Sequence, residues 1–251
     1  GAAALGDAKL RTRTVDVCPE LLWLLGRKGI QTFENLKVNI DQGSQAFPTA
    51  GIYVMRHEDL YLCMNVSDAG LNGRGSHGHN DALSIEVCVG SQSFIIDPGT
   101  YVYTADLDQR HLFRSTLYHS TIRIDGEEQN TTLKSVPFVI GNEAKPQVVS
   151  WETTSEFDRL VAEHFGYSRL TSPVVHRRTV QLNKRERYWS IEDEFIGNGE
   201  HVCEVRFHFA PGLEVHLEDN SVKAINSETG VALEVSSLDL NVAPMLEEQA
   251  C

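Results

Sequence analysis

No apolar run in this chain is long enough to cross a bilayer, so insertion through a membrane helix is not expected. Positive charge is scarce: 22 Lys and Arg stand against 35 Asp and Glu, for a formal net charge of -13. A duplex binder needs a basic footprint to release counterions, which argues against nucleic acid as a partner. Cysteine is also sparse. Cys18, Cys63, Cys88, Cys203 and Cys251 are widely spaced, form no CxxC pair and make no disulfide framework, so they read as reduced thiols. There is no internal repeat, low-complexity segment or heptad pattern. The chain opens GAAALGDAKL with no initiator Met and no signal peptide, which reads as a cut fragment, so this end does not reveal the compartment.

What is present is an ordinary globular composition, 251 residues of which 41% are hydrophobic, enough for one large all-β domain or two modest ones. Two regions differ in pattern. Residues 1–45 contain PELLWLLG, apolar and rich in helix formers, with Pro19 at a plausible helix start and Gly26 as a stop. A linker is expected around Asn39 to Gln45. From residue 46 to 251 the pattern is of strands: GIYVMRH, LYLCMNV, ALSIEVCV, QSFII, HSTIRID, QVVSW, RLVAEHF, VVHRRTVQL, RYWSIEDEF and CEVRFHF, bounded by Gly, Asp, Asn and Pro. The fold class that follows is mainly β, a large antiparallel β-sandwich.

The chemistry-bearing residues concentrate between Gly75 and Thr121. If the segment around His77 is extended, His77, His79 and Asp81 share one face; if it is a loop, they can converge without that fixed geometry. The run SFIIDPG ends a buried strand on Asp97, and Pro98-Gly99 forces a turn after it. His119 opens the strand HSTIRID. Two imidazoles and a carboxylate on neighbouring strand ends suit a zinc-like ion. Arg74, Arg110, Arg114 and Arg123 lie around these motifs and are expected to form a local basic cleft in an acidic protein.

The segments GSHGHNDALSIEV, IIDPGTYVYT and FRSTLYHSTIRIDGEEQN resemble, in order and spacing, signature segments of the heparinase II/III-like polysaccharide lyases, a family that includes alginate and oligoalginate lyases. PVVHRRTVQLNKRERYWSIEDEF and RFHFAPG resemble its later strands more weakly. One departure is His119-Ser120-Thr121, where the family usually has His-Asn-Thr. The resemblance implies that residues 1–45 are the short helical tail of a preceding α/α toroid, most of which is absent here. It implies that His77 is the sandwich histidine facing the catalytic cleft. It also implies that His79, Asp97 and His119 are metal ligands, holding a mainly structural zinc. The catalytic tyrosine and the carboxylate-neutralising residue of the toroid have no match, so this fragment alone is expected to be inactive or nearly so. The implied partner is an acidic, uronate-containing polysaccharide. The implied setting is bacterial, periplasmic or extracellular, and exposed edge strands leave a homodimer open.

Further roles divide between function and packing. Arg114 either holds a substrate carboxylate through two parallel hydrogen bonds or pairs internally with Asp81, Asp97 or Asp106. Arg74 and Arg110 read as solvated surface residues. Tyr101 and Tyr103 are tempting acids but read more readily as packing tyrosines. Asp81 either orients His79 or His77 or caps the turn before ALSIEV, and Glu86 has no assignable role. His57, His111, His164, His176, His201 and His216 lack a comparable context, and His208 is a lesser candidate to line the cleft. Two other readings compete: a non-catalytic carbohydrate-binding or assembly module, and a two-histidine, one-carboxylate iron oxygenase. The long separation of His79 from Asp97 disfavours the latter.

Overall fold

The computed structural model describes residues 2–6, 17–37, 43–70, 75, 77–238 and 244–247, and it divides into two compact units, Gly1–Gly43 and Ser44–Cys251. In the first, α1 (Ala2–Leu5) is one turn and α2 (Pro19–Asn35) covers PELLWLLG. Pro19 sits in the first turn, where a missing N–H leaves no bond unmade. Gly26 does not stop the helix as expected. It adopts φ 64° and ψ -167°, breaking the ladder locally, and the chain resumes helix to Asn35. Most of the linker read at Asn39 to Gln45 lies outside the described residues.

The second unit is a sandwich of antiparallel sheets. β1 (Gln45–Phe47), β2 (Ile52–His57), β3 (Leu60–Asn65), β4 (Ile85–Val89) and β5 (Gln92–Ile95) form a five-stranded sheet in chain order. After the short helix α3 (Leu107–Phe113) and β6 (Ile122–Ile124) comes a second sheet. It consists of β7 (Gln147–Thr153), β8 (Phe157–His164), β9 (Val174–Asn183) and β10 (Tyr188–Gly197), again as sequential neighbours. β11 (Cys203–Val205) pairs with β6, and β12 (Glu214–Glu218), β13 (Ser221–Ile225) and β14 (Ala232–Ser236) make a three-stranded sheet. The ten strand-like runs read from the sequence all contain a strand, though HSTIRID and CEVRFHF keep only three residues each in β6 and β11. β12 to β14 went unread because each places only two or three apolar residues among Glu, Lys and Ser.

Alternation explains the layering. β3 buries every second residue, so Leu60, Leu62 and Met64 face inward with Met55, Ile85 and Val87. Leu160, Ala162, Val180 and Leu182 of β8 and β9 close the core from the other sheet, and Trp151, Trp189 and Phe209 pack at its margin. Each fully buried Leu or Ile contributes about 1.5–3 kcal/mol of transfer free energy. Three stretches that carry the candidate site are tied to this frame by backbone bonds. Leu83 N–H donates to Asn65 O (2.8 Å), Ile85 N–H to Ser120 O (3.3 Å), and Ile96 N–H to His208 O (2.9 Å).

Candidate active site and metal centre

Residues 77–81 are not extended. They form a loop between β3 and β4, so the alternation expected from a strand does not apply and the looser alternative holds. The loop folds back on residues 69–70: a Cβ at Gly70 would lie 2.4 Å from Gly75 Cα, so backbone meets backbone there. His77 is left exposed while His79 and Asn80 are buried. Asn80 pins the loop. Its Nδ2 donates to Glu128 Oε2 (2.8 Å), its Oδ1 accepts from Asn130 N–H (2.9 Å), and its backbone N–H donates to Arg114 O (3.0 Å). Glu128 Oε2 also accepts from the Thr116 N–H (2.7 Å), tying the loop to the chain just before His119.

Asp97 and His119 meet His79 from two other segments. Asp97 follows β5, and its Oδ1 accepts from Gly99 N–H (2.8 Å), the local bond that makes Asp-Pro-Gly a turn. His119 does not open a strand. It caps a 3-10 turn (Thr116–Tyr118), and β6 begins three residues later. Its Nδ1 lies 2.6 Å from Asp97 Oδ2, and its ring centroid 5.2 Å from that of His79. One ligand atom from each of the three residues lies within 4.8 Å of the others.

The donor set fits a zinc-like ion. His119 Nε2 is buried without a hydrogen-bond partner, the kind of atom that an ion satisfies. His79 Nε2 faces Arg110 Nη1 at 3.3 Å; because arginine only donates, that nitrogen offers a lone pair. Burial, with the nearby His119 and Arg110 charges, lowers the His79 pKa to about 4, keeping it neutral. Burial alone would lower His119, but the Asp97 bond and the Asp81 charge outweigh it and raise its pKa.

The arginines depart from the expected basic cleft. Arg110 and Arg114 are fully buried, and Arg123 pairs with Glu204 at 2.6 Å. Arg74 lies outside the described residues. Arg110, read as a surface residue, instead joins the buried and exposed parts of the site: its guanidinium is 5.2 Å from the Tyr103 ring centroid and 5.8 Å from that of Phe138. Arg114 follows neither expected course. Its terminal nitrogens donate to Pro137 O and to Val139 O, the latter at 2.8 Å, so the guanidinium braces residues 137–139 and is not open to a substrate carboxylate. Burial, then the Arg110 charge, lowers its pKa to about 10. Asp106 instead caps α3, accepting from Gln109 N–H at 3.0 Å.

Above the triad, the exposed His77 is held by Tyr103. Nδ1 and the phenolic oxygen lie 3.2 Å apart, and the rings meet edge to face with centroids at 5.4 Å. Tyr103 also stacks on Phe138. Asp81 forms no bond to His77 or His79 among the described residues. Its hydrogen-bonding neighbour is Asn65, burial raises its pKa, and it lines a small cavity of about 230 Å³ with Asn65, Ser67, Ser84, Glu86 and Asp97. His208 Nε2–H donates to Leu117 O (3.1 Å), and the ring stacks on Tyr118.

A family model, Heparinase II/III-like, C-terminal, matches residues 39–244. The chain belongs to that family. No curated protein matches it by sequence. Among solved structures, heparan sulfate lyase HepC from Pedobacter heparinus is 20% identical with a TM-score of 0.68, over 88% of this chain and 33% of that one. Heparinase III is 18% identical with a TM-score of 0.62, over 84% of this chain and 34% of that one. At these identities the likeness is one of fold. The chain spans about a third of the length of the solved chains it matches. Among the described residues no helix is long and apolar enough to cross a membrane.

Sequence reasoning missed a polar layer that supports the candidate site. Gln129 accepts from Ala82 N–H (2.9 Å) and donates to Ala82 O (3.0 Å), like a strand partner made of one side chain. Arg178 reaches from β9 to donate to Leu83 O (2.9 Å) and Ser120 O (3.0 Å), beside two of the site segments. Both residues are distant in sequence from the carbonyls they serve, and only the GEEQN run marked Gln129 as part of a motif.

Proposed function

We propose that this chain is the sandwich part of a polysaccharide lyase that cleaves a uronate-containing polymer by β-elimination. The observation that carries this reading is His77: an exposed imidazole fixed by Tyr103 directly along the chain from the buried His79, in a family of heparinase-like domains. β-Elimination requires the uronate carboxylate to be neutralised, the C5 proton removed and the departing oxygen protonated. Tyr103 engages Nδ1 of His77, which leaves Nε2 as the ring nitrogen for proton transfer at the substrate. Arg110 backs the Tyr103 ring from inside and so resists rotation of the pair.

His79, Asp97 and His119 would hold a zinc-like ion whose contribution is structural, fastening three segments beneath His77. We retain Arg114 as a bracing residue and no longer as a substrate ligand, because both ends of its guanidinium already serve backbone carbonyls. Residues 1–45 remain proposed as the tail of a helical toroid that supplies the other catalytic groups. A periplasmic or extracellular bacterial setting, and a homodimer through exposed strand edges, belong to the same proposal.

The test is ultraviolet absorbance of the unsaturated uronate formed by the intact protein from heparan sulfate or alginate. His77→Ala is expected to lower kcat by about 10²- to 10⁴-fold while retaining metal content and fold. Binding of both polymers without any unsaturated product would favour the non-catalytic module instead.

A further inference from the structure

Tyr101 combines two features that do not serve burial. Its backbone adopts φ 56°, a left-handed conformation that costs a bulky residue on the order of 1 kcal/mol or more. Yet its side chain is 66% exposed. The ring lies against Phe113, with centroids 4.9 Å apart and planes at 23°. Phe113 is buried and meets Tyr118 at 4.8 Å, and Tyr118 stacks on His208 at 6.1 Å. A ladder of rings thus runs from the protein interior to Tyr101 and ends there. With Phe113 on one face and most of the residue in solvent, the opposite face of the Tyr101 ring is open among the described residues.

The loop that carries Tyr101 also carries the rest of the site. Asp97, a candidate ligand, lies four residues before it, and Tyr103, the partner of His77, two residues after it. We infer that Tyr101 is a stacking platform for one pyranose ring of the polysaccharide, in a subsite beside the bond that His77 addresses. This rests on the lyase reading proposed above. A pyranose ring presents C–H groups on its faces and hydroxyl or carboxylate groups around its rim. A flat aromatic face removes the former from water and leaves the latter solvated. The ring is already ordered by its strained backbone and by Phe113, so little conformational freedom remains to be lost on binding. If Tyr101 were only a cover for Phe113, its loss would affect stability and leave saccharide affinity alone.

Calorimetric binding of short heparan sulfate and alginate oligosaccharides to the intact protein separates these cases, using a His77→Ala host to prevent turnover. Tyr101→Phe is expected to keep the host's affinity within about twofold, and Tyr101→Ala to lose about tenfold. Tyr101→Gly, which adopts the same backbone without strain, is expected to keep the fold and show the same loss. Host-like affinity in Tyr101→Gly and Tyr101→Ala would overturn the platform and leave the lyase reading intact. A host that binds neither saccharide would overturn both.

Discussion

Two buried clusters in this domain are built from the same parts, two histidines and an aspartate, yet only one can accept an ion. In the first, His79, Asp97 and His119 converge from loops, the Asp97 side chain is 30% exposed, and His119 Nε2 has no partner. In the second, His164, His176 and Asp193 lie on β8, β9 and β10 and are saturated. Gly166 N–H donates to His164 Nδ1 (3.3 Å), His164 Nε2 meets His176 Nδ1 (3.2 Å), and His176 Nε2 meets Asp193 Oδ1 (2.7 Å). Arg178 then grips both Asp193 oxygens, at 2.8 and 3.0 Å, where a metal would otherwise sit. The residue inventory does not decide the chemistry. What decides it is whether the ligand atoms are already taken: His119 Nε2 has no partner and, of the triad, Arg110 meets His79 alone, at 3.3 Å, whereas the cation of Arg178 holds both oxygens of Asp193.

The largest effect that tests this contrast is removal of that cation. Arg178→Met leaves the buried Asp193 without its ion pair and takes a donor from Leu83 O and from Ser120 O, the latter keeping the Ile85 N–H. It is expected to cost about 3–5 kcal/mol in urea unfolding; a loss below about 1 kcal/mol would mean that Arg178 is dispensable. Zinc gives the next effect. At a free concentration a hundredfold above its Kd it should stabilise the parent by about 2.7 kcal/mol, and His79→Ala should abolish that gain. If His79→Ala kept the full gain, the ion would reside elsewhere.

Arg114→Lys comes third, with an expected cost of about 1–3 kcal/mol, because one ammonium cannot span the carbonyls of Pro137 and Val139. KM for the polymer should be unchanged; a raised KM at parental stability would restore the substrate-binding role. The smallest effect is the pH slope from the saturated cluster. Burial holds His164 and His176 below the ordinary imidazole value near 6.5, His164 the further. Below about pH 6.5 the unfolded chain binds protons that the folded chain refuses. Stability therefore falls as pH falls, by up to about 1.4 kcal/mol per pH unit for each proton. Asp193, held well below its ordinary value because the Arg178 charge and the His176 bond outweigh burial, adds to the loss only under more acid conditions. Unfolding midpoints across mildly acid pH should show the slope in the parent and a shallower one in His164→Gln; equal slopes would remove His164 from the account.

Much of the fold was legible because alternation and turn residues are local signals. The strand at Leu60 and the turn after Asp97 follow from LYLCMNV and from Asp-Pro-Gly. His79, Asp97 and His119 were grouped through resemblance to the family, and the structure brings one ligand atom of each within 4.8 Å of the others. Arg114 was misread because its partners are backbone carbonyls, which carry no residue identity: nothing in FRSTLYHST marks Pro137 and Val139 as acceptors for it. His164 and His176 were unreadable for a related reason, since their register across β8 and β9 is what brings the rings together.

By itself, the sequence determined the antiparallel sandwich, the family, and the residues from which a metal site could be drawn, because periodicity and motif spacing are written along the chain. The tertiary structure alone decided which imidazoles are saturated and which nitrogen is left without a partner. It also decided which arginines are turned inward and which tyrosines stand in solvent. Those outcomes depend on segments far apart in the chain, such as His79 and Arg110 or Arg178 and Ser120, sharing one low-dielectric neighbourhood where each polar atom must find a partner.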